Sequence, residues 1–136
     1  MKLSTLFLLL SILINLPANA AEPSELSGTW ELVNGYIIDS EGKKIAYDLE
    51  AMVSRKVLTT TDYGFVSRKG GEFWAASTGT YLVEGNQYTE KPELLSYPLE
   101  AGATYTFTFE IEGDNWYTQR FEKGEPVEQE HWRRLR

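Results

Sequence analysis

Residues 104–112 read Thr-Tyr-Thr-Phe-Thr-Phe-Glu-Ile-Glu, and this stretch decides the fold class. Apolar and polar side chains alternate along it without interruption. Tyr105, Phe107, Phe109 and Ile111 share one face, and the threonines and glutamates share the other. Because side chains of a β-strand point alternately to opposite faces, the pattern predicts an antiparallel strand with one buried and one solvated face.

Short strands separated by turns are predicted along most of the remaining chain. Gly113-Asp114-Asn115 is a tight-turn sequence before a returning strand at 116–121, and Gly124-Glu125-Pro126 precedes a last strand at 127–134. Upstream, the same reasoning predicts strands at 29–38, 55–60, 64–68, 73–78, 79–83 and 87–90.

Three segments leave alternatives open. Asn34-Gly35 is either a two-residue hairpin turn or a bulge in one long strand, and we favour the bulge because residues 39–42 form a better isolated turn. Ile45–Val53 fits both a helical stripe and a strand, and we favour a short helix or extended cap. Residues 93–102 are predicted to form a longer loop with a short strand.

The number and spacing of these strands predict an all-β domain. About eight short strands with regular turns are typical of a β-sandwich or a β-barrel. A single antiparallel up-and-down barrel is favoured, since consecutive hairpins close it without long crossovers and closure removes the sheet edges.

Composition excludes several classes of function. The 136 residues include 13 Lys and Arg, 20 Asp and Glu, one His and no Cys, with a formal net charge of −7. This balance argues against a nucleic-acid partner, because binding phosphates needs clustered basic residues. The absence of cysteine excludes disulfides, thiolate metal sites and lipid-modified cysteine anchors.

Residues 1–20 are predicted to be a cleaved secretory signal peptide. Lys2 precedes an apolar run, and Pro17 and Ala18-Asn19-Ala20 form a small-x-small cleavage pattern. The run is too short to span a bilayer. We therefore expect one domain over residues 21–136, located in the periplasm or secreted, without a stable membrane anchor. The lack of cysteine favours a bacterial source.

Both ends of the expected domain carry a family resemblance. Gly28-Thr29-Trp30 opens the first strand, and Arg133-Arg134 ends the last one. This arrangement resembles the lipocalins and related calycin barrels, and the chain as a whole resembles small bacterial exported lipocalin-like proteins of unknown function. The resemblance implies that Gly28, Trp30 and Arg134 close the barrel, with the guanidinium of Arg134 or of Arg133 packed on the Trp30 indole. Such a cation–π contact contributes roughly 0.5–2 kcal/mol.

Aromatic residues are more numerous than a small barrel needs for its core. Most must simply pack in the core, but the excess is able to line a cavity for an apolar ligand. The candidate lumen residues are Trp30, Tyr81, Tyr88, Glu90, Phe107, Phe109, Trp116, Arg120 and Trp132.

The charged candidates each have a second interpretation. Glu90 is either an inward carboxylate with a raised pKa or an exposed residue at a strand end. Arg120 either binds a ligand carboxylate in the lumen or faces outward and pairs with Glu110 or Glu130. Glu128 and Glu130 are either an acid–base pair or salt-bridge partners of Arg120 and Arg134.

The expected function is the binding of a small hydrophobic or amphipathic molecule in the barrel lumen, by analogy with the fold. No catalytic residue, cofactor or metal ligand is assigned, and His131 is expected to lie on the surface. Two alternatives stay open. One is a protein-binding module, such as an inhibitor of a secreted hydrolase, that uses residues 39–44 or 90–100. The other is a small isomerase or hydratase that uses Glu90 or the Glu128–Glu130 pair.

Overall fold

The structure, a computed structural model, describes residues 23–136. The predicted signal peptide and its cleavage site lie outside the described residues. The elements are α1 (Pro23–Leu26), β1 (Gly28–Ile38), β2 (Lys44–Ala46), β3 (Met52–Leu58), β4 (Asp62–Lys69), β5 (Glu72–Glu84), β6 (Gln87–Leu95), β7 (Tyr105–Glu112), β8 (Asn115–Glu122) and β9 (Glu125–Leu135).

The strands form one closed antiparallel barrel. From β3 to β9 each strand pairs with the next one along the chain, and β1 pairs with both β3 and β9. Eight strands therefore close the barrel, while β2 pairs with the outer end of β1 alone among the described strands. The predicted all-β up-and-down barrel is confirmed, and the architecture is consistent with a calycin-like fold.

A bulge in β1 accompanies its pairing with three other strands, β2, β3 and β9. The pairing of β1 with β9 shifts register between Leu32 and Asn34. The first half of the strand pairs with β3 and the second half pairs with β2. One long bulged strand was the favoured interpretation of Asn34-Gly35, and it is confirmed. Gly35 is required here, because a Cβ atom would lie 2.8 Å from Cδ2 of the Tyr47 ring.

Of the two forms favoured for residues 45–53, a short helix or an extended cap, the short helix is wrong. Lys44–Ala46 is extended, and a turn follows in which the carbonyl of Asp48 accepts a hydrogen bond from the backbone N–H of Met52 at 2.7 Å. The apolar spacing fits a helix equally well, but three backbone pairings with β1 hold the segment in the sheet.

Two further boundaries differ from prediction. The segments 73–78 and 79–83 are one strand, β5. Residues 93–102 are expected to be a loop with a short strand, and the strand part of that segment, residues 93–95, is the end of β6. Pro92 lies opposite Gly79, next to a register shift. A proline is tolerated inside a sheet at such an irregularity, since the missing N–H removes no regular ladder bond.

One end of the barrel is closed by a tryptophan-rich core. Trp30 and Trp116 are fully buried with ring centroids 5.3 Å apart, and Tyr88 meets Trp116 edge-on at 5.2 Å. Arg134 lies 4.1 Å from the Trp30 ring and donates hydrogen bonds to the carbonyls of Ser27 and Glu25. A Cβ atom on Gly28 would lie 2.8 Å from the Arg134 guanidinium.

Candidate functional site

A cavity of about 370 Å³ lies in the barrel beside this core. Its volume falls within the range of roughly 300–1,000 Å³ that is typical of small-molecule pockets. The wall combines apolar, hydroxyl-bearing and charged side chains. It includes Leu32, Ile37, Tyr47, Met52, Ser54, Lys56, Phe65, Ser67, Trp74, Ala75, Glu90, Tyr97, Tyr105, Phe107, Arg120, Glu128, Glu130 and Trp132.

Strand alternation places most of this wall. Met52, Ser54 and Lys56 are inward residues of β3, separated by the exposed Val53 and by Arg55. On β9, Glu128, Glu130 and Trp132 share the inward face. Every second side chain of a strand faces the lumen whether it is charged or apolar, and these strands place charged residues at such positions.

Lys56 forms a buried ion pair with Glu90. The ammonium lies 2.8 Å from Glu90 Oε1, and both side chains are 5% exposed. The Tyr88 hydroxyl donates a second hydrogen bond to the same oxygen at 2.9 Å. Burial works to lower the pKa of Lys56, but the neighbouring Glu90 and Glu130 outweigh it and raise that pKa overall. Lys56 is therefore a fixed cation in the lumen.

Aromatic rings surround the same ammonium. Lys56 Nζ lies 4.9 Å from the ring centroid of Trp132 and 5.4 Å from that of Trp116. Tyr88 and Phe65 are slightly farther, at 5.8 and 6.0 Å. Because ring faces carry negative potential, these four rings, of which Trp132 and Phe65 belong to the cavity wall, stabilise one organic cation.

Glu130 is held by neutral donors. Its Oε2 atom accepts a hydrogen bond from the Trp132 indole N–H at 2.8 Å and a longer one from the Thr118 hydroxyl at 3.5 Å. Lys56 is 4.0 Å away and is already paired with Glu90. Burial raises the pKa of the Glu130 carboxyl to about 7, and the nearby Glu128 adds to the rise, although Lys56 opposes it.

Arg120 faces the cavity and is already paired. Its Nε atom donates to Glu128 Oε2 at 2.8 Å, and its Nη1 atom contacts the exposed Glu122 at 2.5 Å. The Tyr47 hydroxyl donates to the other oxygen of Glu128 at 3.3 Å. The alternative in which Arg120 faces outward and pairs with Glu110 or Glu130 is wrong. Its carboxylate partner on the last strand is Glu128, which faces it directly across the ladder.

The predicted lumen residues divide into two groups. Glu90, Phe107, Arg120 and Trp132 line the cavity. The other five pack in or against the adjoining core and do not belong to the cavity wall: Trp30, Tyr81, Tyr88, Phe109 and Trp116. Their role in ligand binding stays a prediction.

Several wall residues were missed by the sequence reasoning. Lys56 is the most important, because it carries the central cation. Tyr47, Tyr97 and Tyr105 add three phenols, and the hydroxyls of Ser54 and Ser67 hydrogen-bond each other. Lys56 lies on the same face of β3 as the apolar Met52 and Leu58, which would place it inside the barrel. Val53 and Val57 make the opposite face equally apolar, so the sequence does not show which face is buried.

His131 lies on the face of β9 opposite Trp132. Its ring stacks on Tyr117 with centroids 4.5 Å apart, and its Nε2 atom is 2.9 Å from Asn115 Oδ1. Within residues 23–136, no group of three or more His, Asp or Glu side chains is arranged to hold a metal ion. No helix in that range has the length and hydropathy to cross a membrane.

Comparisons with family models, with curated proteins and with solved structures find no match to this chain.

Proposed function

We propose that this protein is an exported lipocalin-like carrier, in the periplasm or secreted, that binds a small hydrophobic or amphipathic molecule in its barrel. The supporting observation is the cavity of about 370 Å³, whose wall places apolar side chains beside fixed charged groups. Apolar surface supplies affinity, and a few fixed polar groups supply orientation. A cavity of this kind does not favour the alternative of a protein inhibitor, which predicts a barrel filled by its own side chains.

Native mass spectrometry of protein purified from its own host tests the proposal. We expect a reproducible adduct of a few hundred daltons on the wild-type protein. Ala75→Phe places a large side chain in the cavity and should abolish the adduct, since Ala75 belongs to the wall. Ala76→Phe is the matched control, because Ala76 pairs with the exposed Val66 on the outer face and should leave the adduct intact. An adduct retained by Ala75→Phe would contradict binding in the cavity.

Glu130 favours a second candidate function, acid–base catalysis on the bound molecule. A carboxyl whose pKa is raised to about 7 exchanges protons near neutral pH, and this one faces the cavity. The molecule released from the adduct would be incubated with fresh wild-type protein and with Glu130→Gln. Recovery of unchanged molecule from both supports the carrier. Conversion by the wild type alone would support the enzyme.

A further inference from the structure

We infer that the barrel selects ligands that carry one protonated amine on an apolar body. This inference builds on the proposed ligand-binding function and names the chemistry that the cavity would recognise. It rests on the charges that face the cavity, on their pairing and on the aromatic composition of the wall.

The cavity wall carries more carboxylates than cations. Among the residues that the structure describes, three carboxylates and two cations line it: Glu90, Glu128, Glu130, Lys56 and Arg120. Lys56 is matched to Glu90 and Arg120 is matched to Glu128, both at 2.8 Å. Glu122 adds a further carboxylate on Arg120, outside the wall. Glu130 has only the Lys56 ammonium that it shares with Glu90, at 4.0 Å, and a ligand ammonium would supply a closer cation.

The aromatic side chains are suited to the same charge. Trp132 donates its indole N–H to Glu130 Oε2 and presents its ring to an ammonium, that of Lys56. Tyr105 likewise lies beside the Arg120 guanidinium, with the cation 5.4 Å from the ring centroid. A carboxylate next to cation-binding rings is a favourable environment for a protonated amine, because the two attractions act on one charge.

A ligand carboxylate would find no unpaired cation among the described residues of the cavity wall. Both cations are already engaged, so an anion would have to displace Glu90 or Glu128 and leave that carboxylate buried without a partner. Such displacement is costly in a low-dielectric interior. The wall therefore disfavours ligands with a carboxylate, such as fatty acids, in addition to favouring ligands with an amine.

Decylamine, decanol and decanoate test the inference, because they share one apolar chain and differ in head-group charge. Their dissociation constants would be measured by calorimetry at pH 8, below the micellar concentration of each. We expect decylamine to bind about tenfold or more tightly than decanol, the factor that one charge-assisted hydrogen bond supplies, and decanoate to bind most weakly.

The variant Glu130→Gln tests whether the preference for decylamine over decanol depends on Glu130. The variant keeps an acceptor for Trp132 but loses the charge. It should bind decylamine no better than decanol, while its affinity for decanol stays at the wild-type value and reports an intact cavity. Glu110→Gln is the matched control, since Glu110 is exposed and is not part of the wall. It should leave all three affinities unchanged.

Proton release gives an independent readout. Glu130 faces Lys56 from β3, Glu90 from β6, Thr118 from β8 and Glu128 on its own strand, with Arg120 beyond Glu128. An added ammonium beside it lowers the pKa of its carboxyl. Decylamine binding at pH 6.5 should therefore release protons in wild-type protein, seen as a buffer-dependent enthalpy, and release fewer in Glu130→Gln.

The outcomes separate the inference from the proposed function. Equal affinity for all three compounds would leave the carrier function standing and overturn the amine preference. Tightest binding of decanoate would also overturn it, and would point to capture by Arg120. Failure of all three to bind would overturn both proposals.

Discussion

Replacement of Lys56 by methionine tests whether the buried charges form one interdependent group. Methionine keeps a long unbranched side chain but removes the ammonium that lies 2.8 Å from Glu90 and 4.0 Å from Glu130. Two carboxylates then face each other across the lumen without a cation. Leaving a buried charge without its partner typically costs about 3–5 kcal/mol of unfolding free energy.

At alkaline pH we expect the loss of unfolding free energy in Lys56→Met to lie in the upper part of that range. Glu90 is 4% exposed and keeps only the Tyr88 hydroxyl as a donor when Lys56 is lost. At pH 5 the Glu130 carboxyl, whose pKa burial raises to about 7, is protonated, so the loss should be smaller than at pH 8. A domain of this size is typically stable by about 5–15 kcal/mol, so the variant should still fold.

Urea unfolding of four proteins measures the effect, with free energies taken by linear extrapolation. Lys91→Met is the matched control, because Lys91 is an exposed lysine on β6, and its loss should change stability by less than about 0.5 kcal/mol. The double variant Lys56→Met/Glu90→Gln should regain much of the lost stability, since it removes the stranded charge together with its partner. A loss in Lys56→Met no larger than that in Lys91→Met, or a double variant no more stable than the single one, would refute the reasoning.

Three further predictions address stability elsewhere in the barrel. The pKa of Glu130 is about 7 in the folded protein and lower in the unfolded chain, so the protonated carboxyl stabilises the fold at low pH, and this stabilisation is lost as pH rises through about 4.5 to 7. Between pH 5 and pH 8 the unfolding free energy of Glu130→Gln, measured in urea, should therefore rise by about 2–3 kcal/mol relative to that of wild type. A difference between the two proteins that does not vary with pH would contradict the raised pKa. Trp30→Ala should cost about 3–5 kcal/mol in the same assay, because it empties the fully buried position between Trp116 and Arg134; a cost below about 1 kcal/mol would refute its place in the core. Gly35→Ala should cost about 1–3 kcal/mol by thermal or urea unfolding, since its Cβ would lie 2.5 Å from a backbone carbonyl, whereas Gly64→Ala has no atom nearer than 3.7 Å and should cost nothing.

The architecture was largely predictable, because the period of two reports the two faces of a strand directly. The alternation of residues 104–112 predicted β7 to within one residue, and the two glycine-containing turns after it predicted β8 and β9. Closure followed from the number of hairpins and the cost of free sheet edges. The apolar spacing of the segment 45–53 satisfies both the helical period and the strand period, so the spacing could not decide between them. The pairing of Lys44–Ala46 with the preceding strand β1 decides for the strand.

The charged part of the site was less predictable, since it depends on contacts between strands far apart in sequence. Arg120 and Glu128 were recognised as candidate partners, and they belong to one hairpin. Lys56 and Glu90 are 34 residues apart and lie on non-adjacent strands. No local pattern connects them, and the exposed valines beside Lys56 conceal which face of β3 is buried.

The position of the charged groups argues for their function. The closed end shows that this sequence packs aromatic rings tightly, with the Trp116 ring in contact with those of Trp30 and Tyr88. Apolar side chains of similar volume in place of Lys56 and Glu90 would leave stability unchanged or increased, because burying an ion pair costs about as much as the pair returns. Stability therefore does not account for charges in the middle of the barrel. The ion pairs give the cavity wall fixed charges, and these provide a polarity that a ligand of the proposed kind would match. A buried carboxylate such as Glu130, which shares the Lys56 ammonium with Glu90 at 4.0 Å, is a feature that folding alone disfavours and that the proposed ligand binding would use.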